Sequence, residues 1–100
     1  MYVVVEFVEA DAAHRAGMRQ ALLVLSRSLL EKKLGCREFD VAQDDLDGSA
    51  FLLYQVYDSK AAHVTHMELP DYADHRLLVD PWIKTRRHLT YELISGAGLA

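Results

Sequence analysis

The sequence has a single cysteine, Cys36, only two prolines, and no long unbroken apolar run. One cysteine excludes an internal disulfide and a cysteine-rich zinc site, which fits a reducing compartment. A membrane-spanning helix needs about twenty largely apolar residues in a row, and none of the runs here approaches that length. No charged, apolar and small-residue leader precedes the first expected strand, so a cytoplasmic protein is expected. Clustered positive charge is missing too. Eleven Lys and Arg stand against fifteen Asp and Glu, a formal net charge of -4. The only basic doublets, Lys32-Lys33 and Arg86-Arg87, are too short to make the footprint of a nucleic-acid-binding surface. There is no glycine-rich phosphate loop, Ser-His-Asp arrangement, dinucleotide fingerprint or internal repeat.

What is present is a chain of 100 residues, 51% apolar, which fits one compact domain over residues 1–100. From Tyr2 to Val8 only Glu6 interrupts an apolar, β-branched run, predicting a strand covered on both faces. Asp11 offers an N-cap for a long helix ending at Leu34-Gly35. Its inward stripe is Met18, Ala21, Leu22, Leu25 and Leu29, with Leu23, Leu30 and Leu34 roughly opposite. Two strands follow, Cys36 to Gln43 and Ala50 to Tyr57, joined by an acidic segment whose Asp47-Gly48 step suits a turn. Ser59 caps a short helix to about Glu68, and Pro70 restarts the chain into a helical stretch from Tyr72 to about Val79. Asp80-Pro81 breaks it, a last strand runs from Arg87 to Ile94, and the small-residue tail 95–100 is expected to be flexible.

The order strand, helix, strand, strand, helix, strand is the split βαββαβ pattern of a ferredoxin-like α+β fold, an antiparallel sheet with helices on one face. In the third strand Phe51, Leu53 and Tyr57 mark one side while Leu52, Tyr54 and Val56 mark the other. Both sides ask to be buried, and no element of the chain is left to cover the second. A second copy packed sheet against sheet satisfies this, so a homodimer is expected.

These residues resemble the antibiotic biosynthesis monooxygenase family of dimeric α+β barrels, which includes quinol monooxygenases. The resemblance rests on the opening strand Tyr2 to Val8 and on Leu34-Gly35-Cys36-Arg37-Glu38-Phe39-Asp40-Val41. It rests also on Phe51 to Tyr57 and on the spacing of Tyr57, Ala61, His66, Pro70 and Tyr72. It implies a cofactor-independent monooxygenase acting on a quinol or an aromatic polyketide-like substrate with O2. Two departures matter. Family members commonly carry Glu where this chain has Gln55, and the early-strand Asn used by haem-degrading and several quinone-forming members has no counterpart, since the chain contains no Asn. The haem branch also has Trp where His66 stands, so the resemblance does not imply haem.

His66 is the leading catalytic candidate. It shares a helix face with Ala62, Thr65 and Leu69, and histidine titrates close to working pH, which suits a base that removes a phenolic or enolic proton. The bland alternative is a neutral core histidine bonded to a backbone carbonyl. Candidate substrate-binding residues are Tyr72, Tyr54, Tyr57, His63 and Trp82. Tyr54 and Tyr57 point to opposite faces of their strand, so at most one lines a helix-side pocket. Trp82 reads as a lid or as packing, and Arg86 and Arg87 as a solvated pair at a strand start. His63 and His66, three apart on a helix, diverge by about sixty degrees, so no metal is expected. His14 and His88 have nothing convergent nearby in sequence. The same pocket residues are compatible with a non-oxidative isomerase or cyclase and with a non-catalytic small-molecule-binding dimer.

Overall fold

The computed structural model describes residues 1–94, and the expected tail lies outside the described residues. Four strands, β1 (Tyr2–Ala10), β2 (Cys36–Gln43), β3 (Ala50–Tyr57) and β4 (Ile83–Glu92), form one antiparallel sheet in the order β2-β3-β1-β4. Three helices, α1 (Arg15–Glu31), α2 (Lys60–Met67) and α3 (Pro70–Val79), complete the α+β ferredoxin-like domain. The core is the inward stripe of α1, Met18, Leu22, Leu25 and Leu29, set against Val4 and Val8 of β1, Phe39 of β2 and Phe51, Leu53 and Tyr57 of β3. Burying each such aliphatic side chain contributes about 1.5–3 kcal/mol.

Several boundaries differ from those expected, each for a local reason. Asp11 does cap, accepting from the His14 N–H at 3.1 Å, but what it starts is a 3-10 turn, Ala12–His14, and α1 begins only at Arg15. α1 stops at Glu31 rather than Leu34, because the chain turns through left-handed backbone at Lys33 (φ 54°) and Gly35 (φ 97°). A Cβ at Gly35 would stand 2.9 Å from that of Ala62, so this turn also lets β2 enter beside α2. Pro70 occupies the first turn of α3, where its missing N–H costs nothing. β4 starts at Ile83, four residues earlier than expected and after a 3-10 turn (Asp80–Trp82), since the full length of β1 is available as a template, from Ala10 opposite Ile83 to Tyr2 opposite Glu92.

The side of the sheet away from the helices carries Val5, Phe7, Leu52, Tyr54, Leu89 and Tyr91, by the strand alternation of the paired register. Phe7 and Tyr91 are 44% and 54% exposed, and nothing among the described residues packs over them. Leu30 near the end of α1 and Leu34 in the turn beyond it, both expected on the second stripe, are exposed as well. Among the described residues no helix is long and apolar enough to cross a membrane.

Candidate active site

Strand alternation places Glu6 of β1 between Val4 and Val8 on the helix-facing side, and Gln55 of β3 between Leu53 and Tyr57 on the same side. Both are buried, at 8% and 3% exposure, where a polar group needs partners. The Tyr57 hydroxyl donates to Gln55 Oε1 at 2.6 Å, and Gln55 Nε2 donates in turn to Glu6 Oε1 at 3.4 Å. From β4, Arg86 Nε lies 3.9 Å from Glu6 Oε2, and His88 Nδ1 lies 3.9 Å from Glu6 Oε1. A polar line thus crosses three strands on the helix-facing side of the sheet.

Glu6 and Gln55 form part of the wall of a cavity of about 20 Å³ between the sheet and helices α1 and α3. Its apolar side is made by residues such as Met18, Leu22, Leu25 and Phe39, and its polar side is completed by Tyr72, His75 and Arg76 of α3 and Arg86 of β4. Asp80, at the end of α3, ties the two arginines together. It accepts from Arg76 Nε at 2.8 and 3.0 Å and from Arg86 Nη2 at 3.2 Å. The bond from Arg76 holds the Asp80 carboxyl below the usual range. Burial, and then the Arg86 guanidinium, push the His75 imidazole down to about 4, so it is neutral near pH 7. A space of this size holds one water-sized molecule. Outside it, between α1 and α3, runs an open groove of about 560 Å³ lined by Ala21, Val24, Leu78 and others, and Leu25 and His75 line both spaces.

The residues expected to form the site are separated by the fold. Tyr72 alone among them lines the inner cavity. Tyr57, His63 and His66 gather instead beneath α2. His63 is packed against Tyr57 (ring centroids 4.8 Å apart), Tyr2 (5.7 Å) and His88 (6.2 Å), and the edge of His66 meets Tyr57 at 5.3 Å. Burial, more than the neighbouring His88 and His66, lowers the His63 pKa to about 4. Burial likewise raises the Tyr57 phenol, so that it stays neutral, and takes the Cys36 thiol up to about 11. His66, 1% exposed, donates from Nδ1 to the Ala62 carbonyl at 2.8 Å. A carbonyl only accepts, so Nδ1 carries the hydrogen, and Nε2 is buried with no partner among the described residues. Tyr54 sits on the opposite face of the sheet. Trp82 stacks on His14, with centroids 4.9 Å apart and planes 11° from parallel, and it abuts Gly17 of α1.

Two histidines read as isolated are not: His14 pairs with Asp11 and Trp82, and His88 faces Glu6 and His63. Arg86, read as half of a solvated pair, is 27% exposed at its side chain and is tied to Asp80. Sequence reasoning did not place Glu6, His75 or Arg76 in the site. Glu6 did carry a signal, as the one charge inside a run otherwise fit for complete burial.

The family model for antibiotic biosynthesis monooxygenases matches residues 1–76. A solved structure from Nitrosomonas europaea that bears the same family name superposes with a TM-score of 0.89 at 22% identity, covering 95% of this chain and all of the other. One from Deinococcus radiodurans gives 0.86 at 23% identity, over 96% and 95% of the two chains. One from Chloroflexus aurantiacus gives 0.85 at 25%, over 99% and 98%. No curated protein matches the sequence. The structural likenesses, at these identities, speak to the fold, while the family model spans most of the chain and includes β1, β3 and the first turns of α3 that build the cavity. The chain belongs to the antibiotic biosynthesis monooxygenase family.

Proposed function

We propose that the chain is a cofactor-independent monooxygenase acting on a small quinol or aromatic polyketide-like substrate, with the chemistry at the cavity beneath α3. The observation that carries this reading is the buried Glu6 carboxylate in the wall of a mostly apolar space, beside Tyr72, His75 and Arg86. Such a substrate reacts with O2 once it has lost a proton, because its anion is electron-rich enough to pass an electron to oxygen. At an anthrone-type carbon, one oxygen atom becomes the new carbonyl, and the other leaves as water with the two hydrogens that the carbon gave up. The protein's share is a base, donors that orient the oxygen-bearing end, and exclusion of bulk water. Glu6 takes the base role in this reading and Tyr72 the orienting one. The inner cavity suits O2 or a reacting edge, whereas the outer groove has the volume of a small-molecule site. The ring system rests in the groove and its reacting end passes His75, which borders both spaces.

A homodimer formed through the uncovered sheet face belongs to the same reading, supported by the apolar strip that includes Phe7, Leu52 and Tyr54. Tyr54→Lys on that strip is expected to give a monomer by solution mass, and an unchanged mass speaks against this interface. The free, buried Cys36 fits a cytoplasmic setting.

The test of the activity is O2 consumption by purified protein with a panel of hydroquinones and anthrones, where no uptake with any of them sinks the oxygenase reading. Turnover that persists without oxygen would instead mark a proton-transfer isomerase or cyclase. A ligand that raises the melting temperature without being consumed would mark a binding dimer. A second assignment of the base keeps it on His66, favoured by the free lone pair at Nε2, and His66→Phe decides between the two.

A further inference from the structure

We infer that His88 is the exit for the proton that Glu6 removes from substrate, so that the site discharges to solvent across the β1–β4 strand pair. The inference rests on the oxygenase reading for the origin of the proton, and on geometry for its path. Glu6 and His88 are directly opposite each other in the antiparallel register. Their side chains emerge on the same face of the sheet, and His88 Nδ1 lies 3.9 Å from Glu6 Oε1. That distance is one bridging water, or a modest turn of the imidazole, away from a hydrogen bond.

The two ends of the path differ as a relay requires. Glu6 has an 11% exposed side chain and borders the cavity, while the His88 side chain is 44% exposed. β4 lies at the edge of the sheet, and His88 is on the helix-facing side, so sheet-to-sheet pairing leaves it open to water. The other groups facing Glu6 cannot carry the proton outward. Arg86 has donors only and is tied to Asp80, and Gln55 and Tyr57 are buried and neutral. His75 and Arg76 of α3 stand on the cavity side, with Tyr72. His63 of α2 stacks on His88 but is 6% exposed, so it steadies the His88 ring instead of competing with it.

The transfer balances without any further reagent. The substrate O–H or C–H bond breaks, and its electron pair stays on the substrate anion. The proton joins a Glu6 oxygen, passes to the free ring nitrogen of His88, and leaves from the imidazolium to water or buffer, restoring both groups, and solvent later returns one proton to the oxygen atom that departs as water.

Two measurements keep the failure of this path apart from the failure of the oxygenase reading. The first is the rate of O2 consumption in dilute buffer. Glu6→Gln is expected to lose roughly a hundredfold or more in kcat, with or without added imidazole. His88→Ala is expected to fall several-fold and to recover as free imidazole is added, since a small base in solution replaces the missing exit. His88→Ala with wild-type kcat in dilute buffer, or a loss that imidazole does not restore, overturns the path. The second needs no turnover: ¹⁵N spectra of the histidine rings in wild type and in Glu6→Gln. The His88 nitrogens are expected to shift when the Glu6 charge is removed, while those of His14, held by Asp11 away from the site, are not. Unchanged His88 signals overturn the path even if oxygen is consumed. If wild type consumes no oxygen, the oxygenase reading falls, and the spectra alone decide whether Glu6 and His88 are joined.

Discussion

One face of one sheet carries two unlike regions. Beneath α2, Tyr2, Tyr57, His63 and His66 are packed ring against ring. Beneath α3 the same strands bound a cavity rimmed by Glu6, Gln55, Tyr72, His75, Arg76 and Arg86. The difference is one of filling. Flat rings with few polar atoms can close a gap between helix and sheet, and each polar atom then needs at most one local partner. Long charged side chains must keep several partners at fixed distances, so they stand in a ring around a space instead of filling it. In the proposed reading the packed end serves stability and the ringed end serves chemistry, with the Gln55–Tyr57 bond as their common border.

The sharpest way to break this division is to remove the centre of the packed end. Tyr57 is 1% exposed and touches both histidines of α2. Tyr57→Ala is expected to cost about 3–5 kcal/mol in urea unfolding, in the range for a large buried side chain cut to methyl. A loss below about 1 kcal/mol would mean that the α2 end is looser than its rings suggest.

At the border the expected effect is smaller. Gln55→Leu keeps the volume but leaves the Tyr57 hydroxyl without its acceptor and the Glu6 carboxylate without its amide donor. About 1–3 kcal/mol is the usual cost of a buried polar group deprived of its partner. Because Glu6 loses a neighbour that fixes its position, kcat should fall together with stability. A stability loss with kcat intact would separate the border from the chemistry.

His66→Phe is expected to change stability by less than about 1 kcal/mol, since it removes a buried nitrogen that has no partner and replaces it with an apolar ring edge. Oxygen consumption should stay at the wild-type level if the packed end is structural. Loss of activity in this variant, with its melting temperature unchanged, would move the base from Glu6 to His66 and erase the division of labour.

How far the sequence could be read follows the same line between packing and pairing. Strand and helix periodicity exposed the ferredoxin-like α+β fold, and even the unpartnered face, because which side a residue faces is set by its immediate neighbours in the chain. Burial of His66 was legible for that reason. What α2 buries its neighbour His63 against was not, since Tyr2 lies far away in the chain. Glu6 showed as an anomaly in β1, yet its meaning depends on who stands opposite. A strand start expected at Arg87 left Arg86 outside β4, whereas the pairing observed puts Arg86 across from Val8 and His88 across from Glu6. Cross-strand register is a long-range property, and four residues of error at a strand start were enough to hide the site.

The finest comparison of the two regions is by acid, since each holds one histidine with a lowered pKa. His63 at the packed end and His75 at the cavity are both held near 4, chiefly by burial, against about 6.5 in an unfolded chain. Between these values the unfolded state binds a proton that the folded state refuses. Stability is therefore fully present above about pH 6.5 and drains away as the pH falls toward 4, by up to about 1.4 kcal/mol per pH unit for each histidine. Below about 4 both states are protonated at these sites and the loss levels off. His63→Phe should leave stability at pH 7 within about 1 kcal/mol of wild type and flatten the slope from pH 6.5 to 4 by close to one proton's worth. His75→Phe should flatten it by a similar amount, because its folded pKa is held as low as that of His63. Urea midpoints taken across that range measure both slopes. A smaller flattening by His75→Phe would mean that the rim of the water-sized cavity solvates an imidazolium as a packed ring cannot, whereas an equal one makes the contrast between the two ends one of shape alone.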